Sequence, residues 1–226
     1  MAVYTKINKS DLTSINRKFN FENFKSFKGI KQGIENTNYL LRSKNKKFIL
    51  TIFEKRVVEK EIPFFMKLLD QLSNLNINCP KPLKNYRGNY LIKVKNKTAC
   101  VVTFLDGKDK KKLNLKNCFD IGKTVARMHL STKKLKLYRK NSMGIKNLSP
   151  LLNNIKFKSK KFINLEKFLK NNLKDIKSKW PKKLPQGIIH GDLFIDNIFF
   201  KGNKLSGIID FYFAANDYFM YEIAIC

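Results

Sequence analysis

Between residues 187 and 211, apolar and polar runs follow one another in an order that leaves the chain few ways to fold. Gly187-Ile188-Ile189 leads into His190-Gly191-Asp192-Leu193-Phe194-Ile195-Asp196-Asn197, then Ile198-Phe199-Phe200, and after a break Leu205-Ser206-Gly207-Ile208-Ile209-Asp210-Phe211. A turn over 201–204 folds residues 198–200 back against 205–209 as an antiparallel hairpin. The residue entering the first strand and the residue leaving the second then meet at the open end, so Asn197 and Asp210 become neighbours. Asp192, five residues before Asn197, lies in the loop leading to that end. Two carboxylates and an amide beside apolar strands make a hard-oxygen site suited to Mg2+.

The spacing H-x-D-x-x-x-x-N followed by D-F follows the catalytic-loop and metal-loop logic of protein kinases, where the first Asp handles the acceptor hydroxyl and the other two residues hold metal against phosphates. Either motif alone is an ordinary polar turn or strand end; together, at hairpin-compatible separation, they are specific. Tyr212 stands where D-F-G has its glycine, so a regulatory flip of that loop is not expected. A phosphate cradle would fall in the stretch 28–39, where Gly29 and Gly33 free the backbone and Asn36, Thr37 and Asn38 offer donors. The adenine edge would meet the backbone of Thr103 and Leu105, where a strand ends at Val102-Thr103-Phe104-Leu105-Asp106-Gly107.

Periodicity supplies the frame. Ser10 is a candidate cap for a helix over 11–19, and alternating residues at 39–41 and 48–53 predict a hairpin. Ile62, Phe65, Met66, Leu69 and Leu72 fall at helical spacing with Pro63 in the first turn, before strands at 90–94 and 100–104. Beyond a boundary at 106–112 the chain reads as helical: Cys118, Ile121, Val125 and Met128 form one stripe, and Phe162, Leu165, Phe168, Leu169, Leu173 and Ile176 another. The expectation is an α+β chain with a β-rich nucleotide-binding lobe over 1–105 and a helical lobe over 106–226. The chain ends inside the apolar stretch 221–226, which reads as an unfinished second lobe.

The formal charge of +30, from 47 basic and 17 acidic residues, points first to polyanions. Only six of the 47 are Arg, however, and the lysines are spread among abundant Asn, Ile and Phe. A phosphate- or base-reading surface favours the Arg fork. Lysine-rich drift is therefore the reading adopted, the runs at 108–112 and 158–161 are solvated surface, and no nucleic acid is expected. Four widely spaced cysteines suit neither a zinc site nor a disulfide framework, and no stretch approaches a membrane span; the chain is expected to be cytoplasmic, without membrane contact. His129 is expected to be a packing residue.

The chain resembles the bacterial homoserine kinases of the aminoglycoside-phosphotransferase-like superfamily. The resemblance is carried by Phe27-Lys28-Gly29-Ile30, the stretches 33–41 and 48–56, Pro63-Phe64-Phe65, the segment 102–107, residues 190–200, and Asp210-Phe211-Tyr212-Phe213-Ala214. It implies a protein-kinase-like bilobal fold and ATP- and Mg2+-dependent phosphorylation of L-homoserine in threonine biosynthesis. It carries over Asp192 as catalytic base or hydroxyl positioner, Asn197 and Asp210 as metal ligands, and the Thr103 and Leu105 backbone as the adenine contact. Thr51 stands at the strand position of the phosphate-binding Lys, so Lys55 or Arg56 would substitute, and Ile195 replaces a common Pro. The family continues with further helices beyond residue 226, so the second lobe is expected to be incomplete. Homoserine carries an ammonium and a carboxylate; Asp196 and Asp217 are the acidic candidates, and Arg139 with Asn141 a carboxylate clamp. Another small-molecule acceptor (an amino sugar, choline or methylthioribose) and a catalytically silent RNA-binding protein on the same scaffold are the competing readings.

Overall fold

The structure is a computed structural model describing residues 3–19, 22–32, 35–54, 57–155 and 160–226. Helix α1 (Lys9–Lys18) is capped by Asn8, whose side chain accepts from the Asp11 amide while Asp11 reaches back to the Asn8 amide. Ser10, the expected cap, instead donates to the Asn8 side chain. An antiparallel five-stranded sheet follows among the described residues, in the order β1-β2-β3-β5-β4. It comprises β1 (Ser26–Gly29), β2 (Thr37–Arg42), β3 (Lys47–Ile52), β4 (Leu91–Val94) and β5 (Lys97–Thr103). The expected hairpin is β2–β3, with Arg42 opposite Lys47 at its closed end. The edge strand β1 was not expected: its four residues are partly exposed and carry no full alternation to betray them. Lys95 and Asn96 close β4–β5 with both residues at positive φ, the twist-matched two-residue turn.

Helix α2 (Ile62–Asn74) has Pro63 in its first turn, where the missing N–H costs nothing, and buries Ile62, Phe65, Met66, Leu68, Leu69 and Leu72. Helix α3 (Leu115–Thr132) buries Ile121, Val125 and Met128 as its stripe requires, but Cys118 is exposed and Asn117 is buried instead through a capping box with Asn114. The short α4 (Ile145–Asn153) precedes α5 (Lys160–Lys179), whose Phe162, Leu165, Phe168 and Ile176 face solvent. The lysine run at 158–161 falls partly outside the described residues. Two small sheets complete the fold: β6 (Gln186–Ile189) with β9 (Ala215–Tyr218), and β7 (Ile198–Lys201) with β8 (Lys204–Ile208), followed by α6 (Phe219–Ile225). No described helix is long and apolar enough to cross a membrane.

One apolar cluster, with Tyr39, Leu41, Phe48, Leu50 and Val101, lies within the first 105 residues. The larger cluster crosses the expected lobe boundary, joining Phe53, Phe65, Leu72, Cys100 and Val102 to Val125, Ile188, Leu193, Phe200, Ile208 and Phe211. Residues of the sheet's second face, α2 and the 190–211 segment thus share one core, with Tyr212 packed on Phe53 and bonded to Thr51.

Candidate active site

Strand β6 delivers His190 into the interior with no exposed surface. Its Nδ1 accepts from the Asp192 amide (3.2 Å), so the proton sits on Nε2, which donates to the Ile209 carbonyl at 2.8 Å. Burial pushes the imidazole below its ordinary pKa, consistent with this neutral form. The next residue turns back at φ +78, and a Cβ at Gly191 would lie 2.8 Å from the Phe213 carbonyl oxygen, so only glycine fits. The side-chain amide of Asn197 donates to both the Asp192 carbonyl (2.7 Å) and its carboxylate (3.1 Å), fixing the loop across its mouth.

The hairpin does what its spacing requires. Ile198 pairs with Ile208, and the Ile209 amide donates to the Asn197 carbonyl at 2.9 Å, so Asn197 and Asp210 stand side by side. Asp210 adopts the left-handed conformation (φ 64, ψ 57) and starts a tight turn over Phe211–Phe213. Its carboxyl is reachable by solvent yet densely surrounded by protein. Desolvation, then Asp192, Glu35 and Asp196, push its pKa up to about 6, while the Tyr212 amide opposes them. Asp192 is raised by desolvation too, against the pull of His190 and Asn197. Asp196 is exposed at the rim. The charges of Asp192, Glu35 and Asp196 all act on Asp210, and a divalent cation held there would relieve that repulsion.

Glu222 was missed in the sequence, although a carboxylate inside the apolar run 221–226 was the available signal. It is fully buried on α6 and accepts from the His190 amide (2.8 Å), the Gly191 amide (3.0 Å) and His129 Nε2 (3.1 Å). Burial alone would raise this carboxyl; the hydrogen bonds from His129, His190 and Gly191 outweigh it and hold its pKa below the ordinary value. His129, stacked on Phe219 at 4.2 Å, is thus both a packing residue and a partner of Glu222.

The expected nucleotide contacts divide. Gly33, Lys55 and Arg56 lie outside the described residues. Thr37 is buried, its hydroxyl accepting from the Tyr4 and Thr5 amides and donating to Glu54, so it ties the N-terminal segment to the sheet rather than offering a donor to phosphate. Asn36 Oδ1 accepts from the Glu54 amide and Asn38 Oδ1 from Thr51. Thr51, at the position where a phosphate-binding Lys was sought, thus joins a neutral network with Asn38 and the Tyr212 hydroxyl. The Thr103 amide donates to the Lys81 carbonyl, and the Lys81 amide to Thr103 Oγ1, so residues 81–83 brace the strand end where Leu105 follows.

The expected acceptor contacts differ more. Arg139 is not an open clamp: Nε and Nη2 reach Glu61 at 2.8 and 2.7 Å, and Nη1 donates to the Ala214 carbonyl at 3.1 Å. Asn141 is buried and donates to Asp217 at 2.7 Å, so those two candidates satisfy each other. Of the four side chains expected to meet a zwitterionic acceptor, Arg139, Asn141 and Asp217 are already held within the fold, and Asp196 is exposed.

Residues 26–226 match the model of the phosphotransferase enzyme family. A homoserine kinase of Parvibaculum lavamentivorans is 37% identical, with all of this chain aligned to 71% of that protein. One from Bradyrhizobium diazoefficiens is 40% identical, with the whole chain covering 70% of it. Among solved structures, an amicoumacin kinase in complex with AMP-PNP, Ca2+ and Ami superposes with a TM-score of 0.77 at 18% identity, over 97% of this chain and 68% of that one. A microcompartment-associated aminopropanol kinase gives 0.72 at 15% identity, over 94% and 73%. These superpositions establish the kinase-like fold that the nine strands and the 190–211 segment build among the described residues. The chain belongs to the phosphotransferase enzyme family, among relatives that are homoserine kinases.

Proposed function

We propose that this protein transfers the γ-phosphoryl group of ATP to the side-chain hydroxyl of L-homoserine, giving O-phosphohomoserine and ADP on the route to threonine in the cytoplasm. The observation that carries the acceptor is identity of 37–40% to homoserine kinases along the entire chain, through the N-terminal loop as well as the catalytic segment. The chemistry follows from the carboxylates that converge at the open end of β7–β8. Asp192, held by Asn197 and by the backbone of the 190–197 loop, orients the hydroxyl and accepts its proton as the new O–P bond forms and the β,γ-bridging bond breaks. Its raised pKa brings it closer to the working range of a base. Asn197 and Asp210 would hold Mg2+, which when bound neutralises the charge spread over the transferring phosphoryl oxygens. No covalent intermediate is required, and positioning supplies most of the acceleration. The backbone of Thr103 and Leu105 is the proposed purine contact. Asp196, exposed beside the acid cluster, remains the proposed partner for the substrate ammonium.

Homoserine-dependent ADP release with Mg-ATP tests the reading, run beside choline, methylthioribose and an amino sugar. Turnover on an amino sugar with none on homoserine would overturn the acceptor assignment and leave the reaction class intact.

A further inference from the structure

We propose that Arg139 is a positioning residue that locks α2 to the metal-loop turn, so that the orientation of α2 sets where the Asp210 carboxylate sits. The inference rests on the phosphotransfer reading of Asp210.

The Arg139 side chain is only 10% exposed and lies at a junction of three elements. Nε and Nη2 grip Glu61, at the start of α2, while the guanidinium covers the Phe65 ring one helical turn on, 5.0 Å from its centroid. Nη1 turns the other way, to the Ala214 carbonyl at 3.1 Å and the Phe213 carbonyl at 3.5 Å. The Arg139 backbone is itself fixed: its amide donates to Asn216 Oδ1 and its carbonyl accepts from the Asn216 amide. One planar fork therefore bonds the residue that caps the start of α2 and the end of the Phe211–Phe213 turn at once.

That turn is stiff. It starts at Asp210 in the left-handed region and closes with the Ala214 amide on the Phe211 carbonyl. The Phe213 carbonyl is wedged against Gly191 on its other side, and Tyr212 packs edge-on to Phe65 at 5.6 Å. A shift at Ala214 has no slack to absorb it and is passed to Asp210. Lysine could hold Glu61 but lacks the second arm of the fork, and a substrate carboxylate would have to displace Glu61 to reach Arg139.

The test is a double-mutant cycle of Glu61→Gln and Arg139→Gln, with Arg139→Lys as the conservative variant. Each single change is expected to lower kcat by about tenfold, with KM for homoserine within about twofold and the Mg2+ concentration for half-maximal rate raised several-fold. The double variant is expected to be no worse than the poorer single, and lysine to restore only part of the rate. In the nucleotide-free protein, amide hydrogen exchange over residues 211–216 is expected to quicken equally in both singles. Losses that multiply, exchange that does not change, or a homoserine KM raised in Arg139→Gln alone would overturn the proposal, the last reinstating a substrate clamp. A wild type that ignores homoserine would sink the proposed function instead, and the exchange arm would still decide this inference.

Discussion

Asp192→Asn keeps the size of the side chain and its hydrogen bond to Asn197 while removing the proton acceptor. We expect kcat to fall about 10^3-fold with KM for ATP little changed, as measured by coupled ADP release; an unchanged rate would remove Asp192 from the mechanism. Glu222 acts at one remove. Its pKa is lower folded than unfolded, so its contribution to stability is complete above the unfolded value of about 4.3 and is lost as pH falls through the folded value. Glu222→Gln should therefore be less stable at pH 7, by about 2 kcal/mol, and its urea midpoint should vary less than wild type as pH falls from neutral into the acid range. A midpoint difference that stays constant across this range would show that Glu222 contributes no titrating stabilisation. The meeting of Asp192, Asn197 and Asp210 was legible because the spacing of a hairpin dictates which residues become neighbours. Glu222 was not, because its partners, the His190 and Gly191 amides and the His129 imidazole, lie on other elements, and no sequence pattern records those.

Elements were read well where one face is buried. Helix α2, the β2–β3 hairpin and β7–β8 all follow from alternation or helical spacing that burial enforces. Edge strand β1 and strand β9 escaped because runs of four residues carry too little periodicity. At Gly207 the hairpin touches the segment before Cys79: a Cβ would lie 2.4 Å from the Asn78 carbonyl oxygen, and φ is +157. Gly207→Ala is expected to destabilise the protein by at least about 2 kcal/mol, seen as a lower urea midpoint with an unchanged m-value. An equal midpoint would mean that the 76–80 segment yields freely.

At the scale of the molecule, Phe65 occupies the middle of the cluster that crosses the expected lobe boundary, fully buried against Phe64 and Tyr212. Phe65→Ala should cost about 3–5 kcal/mol, and loosen Tyr212 and hence the turn that starts at Asp210, detectable as a coincident loss of thermal stability and kcat. Loss of stability with full kcat would separate the core from the site. The sequence by itself determined that residues 192, 197 and 210 come together: chain connectivity limits how far apart they can lie once the hairpin closes, and apolar alternation closes it. Tertiary structure alone decided which charged and polar groups remain available to a substrate. Thr37, Arg139, Asn141 and Asp217 carry suitable chemistry, but each can satisfy its hydrogen bonds only once, and partners distant in sequence, Glu54, Glu61 and one another, claim them first.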